Sequence, residues 1–366
     1  VTAGRETMSV VQEAGRPGHV TIRDIARAAG VHPSTVSRAL DPVRANRISD
    51  DTRRHVVEAA RALGYTRDAV AQGLRAGRTR TIGVVVADLA NPFIAPVLRG
   101  IENGLGSRDL MALVTESRDD VDRLARLVDD LLARRVDALV VTGARRGDER
   151  ALRRAAQRVP VVLAVRSLER AGLPSVTHDD VQGGRLAAEH LLSLGHRRLA
   201  HLRGPDDVSS FRERGGGFRE AVLAGGGTLV GGELPAGMPT LDDGRRLMGL
   251  ALDLPAPPTA VFALNDLMAI GAMQELRARG LACPGDLSVV GFNDDRLASH
   301  VVPALTTVRL PGYELGRIAA DTAVLLIEDP TYTPARLTLP STLVVRGSTA
   351  PPPAAARGPH DPGGVP

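Results

Sequence analysis

Between Val20 and Gly64 the apolar positions recur at helical spacing in three short bursts. Ile22, Ile25, Ala26 and Ala29 form the first, Val36, Ala39 and Leu40 the second, and Val56, Val57, Ala60 and Leu63 the third. Each burst carries its own start and stop signals. Thr21 followed by Asp24 resembles a capping box with an acid where Glu or Gln is more usual. Gly30 ends the first helix, and Pro33 suits the first position of the second, where its missing N–H costs nothing. Ser49 is a good N-cap for the third, and Gly64 closes it.

From Thr81 the pattern changes to continuous apolar runs at 82–87, 110–115, 136–142, 160–165, 199–202, 260–264 and 287–291, with helical segments between most of them. Strands without polar alternation are buried on both faces, so this region predicts an α/β architecture of doubly wound parallel sheets, and its length predicts two of them. Residues 66–78 are weakly helical and read as a linker that orders in a complex. Residues 348–366 are rich in Pro, Gly and Ala without periodicity, which predicts a disordered tail.

Composition sharpens this division. At 366 residues and 43% hydrophobic content the chain supports more than one core. All 46 basic residues are arginines, and the net charge of +4 is uneven: residues 1–80 carry +6 and the remainder about −2. A basic N-terminal segment on a near-neutral body fits a nucleic-acid-binding head, with a solvated charged face as the bland alternative. Cys283 is the only cysteine, which excludes a disulfide framework or a cysteine-rich zinc site. No apolar run approaches the roughly 18 residues of a membrane span, and the N-terminus lacks the basic-then-apolar order of a signal peptide, so a cytoplasmic protein without membrane association is expected. Val1 reads as a GTG start codon translated literally, with residues 1–19 a flexible leader.

Five stretches in order carry a resemblance to a known family: VTIRDIARAAGVHPSTVSRAL, GVVVADLANPF, DDVQGGRLAAEHLLSLGHRRLAHLRGP, FALNDLMAIGAM, and LSVVGFNDD followed by PALTTVRLP. Together, over about Val20 to Arg346, they resemble the LacI/GalR family of bacterial transcriptional regulators. The resemblance implies a repressor acting as a homodimer on a pseudopalindromic double-stranded DNA operator. It divides the chain into a helix-turn-helix DNA-binding domain at 20–66, a hinge helix or linker at 67–80, and a two-lobed, periplasmic-binding-protein-like effector and dimerisation domain at 81–347. Lobe N takes in about 81–177 and 309–338, and lobe C about 178–308 and 339–347.

In such a head the second helix lies in the major groove and presents its N-terminal side chains to base edges. Pro33 and Ser34 match the family's base-contacting pair, and Arg38 matches an arginine that commonly contacts guanine. Thr35 and Ser37 suit phosphate or base contacts, and Thr21, His32, Arg47 and Tyr65 complete the set in the head. The plain alternative is that the hydroxyls only cap and solvate a small bundle. Leu74, flanked by Ala71 and Gln72, stands where the family wedges a leucine into the minor groove. His32 replaces the usual serine and Asp41 the usual asparagine, and Arg67-Asp68 stands for Pro-Asn; an aspartate cannot donate to a phosphate.

Ligands of doubly wound sheets gather at the carboxyl ends of strands. That rule and the resemblance select Asp88, Asn91, Phe93, Arg166, Arg214, Asn265 and Asn293 as effector contacts, with Asp266 and Asp294 beside them. Asp266 reads equally well as a helix cap, and so do Asp179 and Asp180. Carboxylates, amides and arginine suit the paired hydroxyls of a sugar-like effector, although the family commonly has aspartate at Asn293 and aromatic residues make up only 2% of the chain. No cofactor or metal is expected. The competing readings are a transport-type solute-binding protein and an α/β enzyme. The helix-turn-helix argues against the first, and the absence of GxGxxG, P-loop, HExxH and GxSxG patterns against the second.

Overall fold

Three helices, α1 (Ile22–Ala28), α2 (Pro33–Ala39) and α3 (Asp50–Ala62), pack around the fully buried Ile25, Val36 and Val56. Ala26, Ala29, Ala39 and Ala60 fill the remaining core positions, and their small side chains let short helices approach closely. The start signals read from the sequence are in place. Thr21 Oγ1 accepts from the Asp24 amide at 3.4 Å while Asp24 accepts from the Thr21 amide at 2.9 Å. Ser49 Oγ accepts from the Thr52 amide at 3.4 Å, and Gly30 turns the chain at φ +61°. Each fully buried Val or Ile contributes roughly 1.5–3 kcal/mol, and this core holds three such side chains. It is a small one.

This computed structural model describes residues 20–40, 48–65, 78–232, 234–333 and 336–353. The chain divides into two compact units, Val1–Gly77 and Arg78–Pro366. The expected leader, Asp41, Arg47, the stretch that holds Ala71, Gln72 and Leu74, and residues 354–366 lie outside the described residues.

In the second unit the strands are β1 (Thr81–Val86), β2 (Met111–Glu116), β3 (Ala138–Val141), β4 (Val161–Val165), β5 (Ser175–His178), β6 (Arg198–Leu202), β7 (Thr228–Leu229), β8 (Ala260–Ala263), β9 (Ser288–Asn293), β10 (Thr306–Arg309), β11 (Leu337–Leu339) and β12 (Thr342–Val344). The helices are α4 (Ile94–Gly106), α5 (Val121–Ala133), α6 (Glu149–Ala156), α7 (Asp180–Ser193), α8 (Ser209–Ala224), α9 (Leu241–Leu252), α10 (Asp266–Ala278) and α11 (Gly312–Glu328). One sheet runs β11-β5-β4-β3-β1-β2 and the other β12-β10-β9-β8-β6-β7. All pairs are parallel except β10 with β12, which is antiparallel. The chain passes from one sheet to the other three times, after β5, after β10 and between β11 and β12.

The apolar runs fall on β1–β4, β6, β8 and β9 to within two residues at most boundaries. The strands without a run in the sequence, β5, β7, β10, β11 and β12, are short and rich in Thr, Ser or His. They have too little continuous apolar character to signal burial.

Glycines let the helix pairs on these sheets close. A methyl group on Gly184 of α7 would strike the Arg214 carbonyl of α8, and one on Gly217 of α8 would strike the Val181 carbonyl of α7. The same reciprocal arrangement joins α4 to α11 through Gly100 and Gly316, and α9 to α10 through Gly244 and Gly271.

The expected disorder of 348–366 does not hold for its first six residues. Ser348 is fully buried, with its hydroxyl donating to the Val289 carbonyl at 2.6 Å and accepting the Thr306 amide at 2.8 Å. The Ala350 carbonyl faces His196 Nε2 at 2.8 Å. Composition failed here because the segment packs through backbone groups and hydroxyls, which leave no hydrophobic period.

Candidate nucleic-acid interface and interlobe cleft

The second helix of the head begins with a cap the sequence did not announce. His32 Nδ1 accepts from the Ser34 amide at 3.2 Å and lies 2.8 Å from Ser34 Oγ. The histidine thus takes the role that serine usually fills at an N-cap. Arg38, one turn further on, lies back along the same face: its Nε donates to the Ser34 carbonyl and its Nη2 to Ser34 Oγ, both at 3.2 Å. His32, Ser34 and Arg38 are exposed, while Pro33, Thr35 and Ser37 are half-buried. Thr21 is exposed at the start of α1 and engaged in its capping box, and Tyr65 packs against the head core. This places a continuous donor surface at the start of a two-turn helix. Pro33 has no N–H, and the amides of Ser34, Thr35 and Val36 are already taken by His32, so an external phosphate would meet exposed side chains and the helix dipole there.

In the body, all seven residues expected to meet an effector line one cavity between the two sheets. Asp88, Asn91 and Phe93 come from beyond β1, Arg166 from beyond β4, Arg214 from α8, Asn265 from beyond β8 and Asn293 from the end of β9. The cavity volume is ≈ 50 Å3, enough for a few water molecules. A monosaccharide enters only if the lobes part.

Arg166 donates to both oxygens of Asp119, at 2.5 and 3.4 Å, and to the Gly143 carbonyl at 3.3 Å. Arg214 donates to Asp180 Oδ1 from Nε at 3.1 Å and from Nη2 at 2.7 Å, and its Nη1 reaches the Leu264 carbonyl. The Arg214 guanidinium also lies 3.5 Å over the Phe292 ring, and that of Arg166 5.2 Å from Phe211. Burial pushes the Asp180 carboxyl up to about 6 against the opposing pull of Arg214. Arg214 sits in the second turn of α8, where the close α7–α8 contact brings it onto Asp180.

The backbone holds Arg166 in an unusual way. Val165, at φ +68°, forms a tight turn in which the Arg166 amide donates to the Ala164 carbonyl at 2.7 Å. A β-branched residue there is strained, and such strain gathers at ligand sites.

Other cleft groups are already engaged. Asn265 is the true cap of α10: its Oδ1 accepts the Met268 amide at 2.9 Å and its Nδ2 donates to the Pro239 carbonyl at 3.3 Å. Asp266 is therefore not the cap. It is fully buried and accepts from Thr307 Oγ1 at 2.5 Å and the Asp295 amide at 2.6 Å, tying α10 to β10. Asp294 is held by Arg309 and Arg346 and does not line the cavity. Asp179 caps α7 through the Gln182 amide at 2.8 Å. Asp88 and Asn91 each satisfy one nearby amide, of Ala90 and Phe93. Asn293 ends β9 at φ +115° and acts on the Asp295 carboxyl, which burial pushes up to about 6.

The sequence missed Asp119, Asp180 and His178, all of which line the cavity. The strand-end rule reaches His178 once 175–178 is known to be a strand. Asp119 sits on a loop with no distinguishing signal, while Phe211, one of the few aromatic candidates for stacking an effector, does line the cavity. At the rim, Arg145 joins Asp207 through two hydrogen bonds, at 3.0 and 2.9 Å, and the Ser167 amide donates to Ser209 Oγ at 2.9 Å.

Comparison with known proteins places both halves. Residues 21–68 match the model of bacterial regulatory proteins of the lacI family, and 188–349 match a periplasmic binding protein-like domain. The HTH-type transcriptional regulator DegA of Bacillus subtilis is 34% identical over 90% of this chain and 98% of its own length. The chain belongs to the lacI family. As a member of it the protein is a transcriptional regulator with an N-terminal helix-turn-helix unit and an α/β body. The Escherichia coli ribose operon repressor is 33% identical over 90% of this chain and 99% of its own. Among solved lacI-family structures, the lac repressor dimer bound to operator and the anti-inducer ONPF matches with a TM-score of 0.81 at 29% identity, covering 91% of this chain and 100% of that one. The CelR–cellobiose complex matches with a TM-score of 0.68 at 33% identity, covering 90% and 99%. Among the described residues no helix is long and apolar enough to cross a membrane.

Proposed function

We propose that this regulator is a cytoplasmic repressor, that it binds a pseudopalindromic operator as a homodimer, and that a small polar effector in the cleft sets its operator affinity. The observation that carries this reading is one chain with an exposed His32–Ser34–Arg38 donor face on a short helix and an interlobe cavity lined by seven independently expected polar and aromatic residues. The lac repressor dimer on its operator supports the dimeric assembly, and the cellobiose complex of CelR supports a sugar-like ligand.

In this mechanism Pro33, Ser34 and Arg38 read base edges, while Thr21, His32, Thr35, Ser37, Arg47 and Tyr65 hold phosphates and register. Ala71 and Gln72 flank Leu74, which wedges the operator centre. Asp88, Asn91, Phe93, Arg166, Arg214, Asn265 and Asn293 surround the effector. Its arrival changes the angle between the lobes, and through the linker it changes the spacing of the two heads, a coupling of typically 1–3 kcal/mol. The experiment is selection of genomic fragments by the full-length protein, followed by footprinting with and without sugars and polyols. A protected symmetrical element whose occupancy responds to one of these compounds is expected; retention without any symmetrical element would overturn the reading.

A further inference from the structure

One buried polar side chain in the cleft lacks a well-formed hydrogen bond among the described residues. His178 ends β5, where the chain first leaves the N-terminal lobe, and it is 2% exposed. It lines the cavity with its ring 5.6 Å from that of Phe93 in an edge arrangement. Among the described residues neither Nδ1 nor Nε2 has a partner at full hydrogen-bond geometry, and the Pro311 carbonyl is the backbone group that acts on the ring. The backbone on either side is fixed: His178 pairs with Leu339 across β11, the Asp179 amide donates to the Leu339 carbonyl at 2.8 Å, and Ser341 Oγ donates to the Asp179 carbonyl at 3.0 Å. Leaving two ring nitrogens buried and unpaired is costly. A ring that lines a ligand cavity recovers that cost when a ligand supplies the partner.

The cations of the same cavity are in the opposite condition. Arg166 is matched by Asp119 and Arg214 by Asp180, with these side chains at most 8% exposed. The remaining carboxylate, Asp88, has one oxygen outside its hydrogen bond to the Ala90 amide. Burial, seconded by Arg214, keeps the His178 ring uncharged, with a smaller opposing pull from the Pro311 carbonyl. No guanidinium in the cavity is left to receive an anion. A phosphate would enter beside three carboxylates and would have to break a buried ion pair to find a partner.

We infer that His178 hydrogen-bonds the effector directly and that the effector is an uncharged polyhydroxyl compound, not a phosphorylated or carboxylated one. This rests on the reading of the cleft as an effector site and narrows it. Hydroxyls satisfy both sides: they accept from or donate to the neutral imidazole and donate to Asp88, leaving both ion pairs intact.

The test uses the full-length protein and calorimetric titration of matched compounds: D-ribose with ribose 5-phosphate, D-glucose with glucose 6-phosphate, adenosine with its 5′-monophosphate, and inorganic phosphate alone. The neutral member of a binding pair is expected to bind at least about ten-fold more tightly than its phosphate, and inorganic phosphate is expected to give no saturable heat. His178→Phe should weaken the neutral compound roughly 10- to 100-fold, with its ligand-free thermal midpoint close to the parent's, and His178→Gln should recover part of the affinity. Tighter binding of a phosphorylated member, or saturable phosphate that competes with the sugar, overturns the charge assignment. Undiminished binding by His178→Phe overturns the role of the histidine. If no compound gives heat or alters operator retention, the effector reading of the cleft falls first and this inference falls with it.

Discussion

Arg38 and Arg214 are the same side chain in opposite circumstances. Arg38 is exposed and, among the described residues, its side chain bonds Ser34 of its own helix, a contact it can leave for another partner at little cost. Arg214 is buried between a carboxylate, a carbonyl and an aromatic face, and it cannot leave without exposing Asp180 to a low-dielectric interior. The head therefore keeps its polar groups available for an external polymer. The cleft has spent its charged groups on holding its own walls, and its small neutral groups remain for a ligand.

Truncation of each arginine tests this contrast most strongly. Arg214→Ala should destabilise the body by about 3–5 kcal/mol, the cost of leaving a buried charge without its partner, measured by urea unfolding. Adding Asp180→Asn should restore part of that loss. In Arg38→Ala, stability should stay within about 0.5 kcal/mol, while discrimination falls by about 1–3 kcal/mol at one position of each half-site, read by selection from a randomised operator library. If Arg38→Ala unfolded the head, or Arg214→Ala left the body untouched, the contrast would be wrong.

Acid offers a second measurement, of similar or smaller size. The folded His178 ring titrates near 3 because burial opposes its charge, while an unfolded chain takes up that proton below about pH 6.5. Unfolding is thus favoured as pH falls from 7 to 5. Replacing the ring by Phe should reduce that acid-induced loss by on the order of 1–2 kcal/mol, with urea midpoints at the two pH values as the readout. The buried His201, also pushed down to about 3 by burial, keeps its contribution in both proteins. The smallest expected effect returns to the head: His32→Ala should cost about 1 kcal/mol through loss of the α2 cap, and His32→Ser should restore it, as seen in thermal melts.

How far the sequence could be read follows from the same contrast. The head was legible because its chemistry is local. A cap, a Pro and a Gly act within four residues, and Ser34 and Arg38 reach each other along one turn. Most of the strands were legible from continuous apolar runs, but the run at 110–115 forms β2 at the edge of its sheet and leaves Met111, Leu113 and Val114 exposed, so it was not the doubly buried strand its pattern predicted. In the cleft, the strand-end rule found six lining residues because it follows chain geometry, and the family resemblance added Arg214. It missed His178 because β5 is too short and polar to announce itself, and it missed Asp119 and Asp180 because a loop carboxylate and a helix-start carboxylate look like ordinary caps.

By itself, then, the amino-acid order determined the three-helix head, the alternation of strand and helix, and the neighbourhood of the cavity, since each follows from spacing and side-chain type within one element. Only the tertiary structure decided how those polar groups pair. Asn265 and not Asp266 caps α10, Arg214 belongs to Asp180 and Arg166 to Asp119, and His178 is left without a well-formed hydrogen bond among the described residues. Such pairings join residues up to 47 positions apart. They are set by how closely helices and sheets pack, which no local pattern along the chain records.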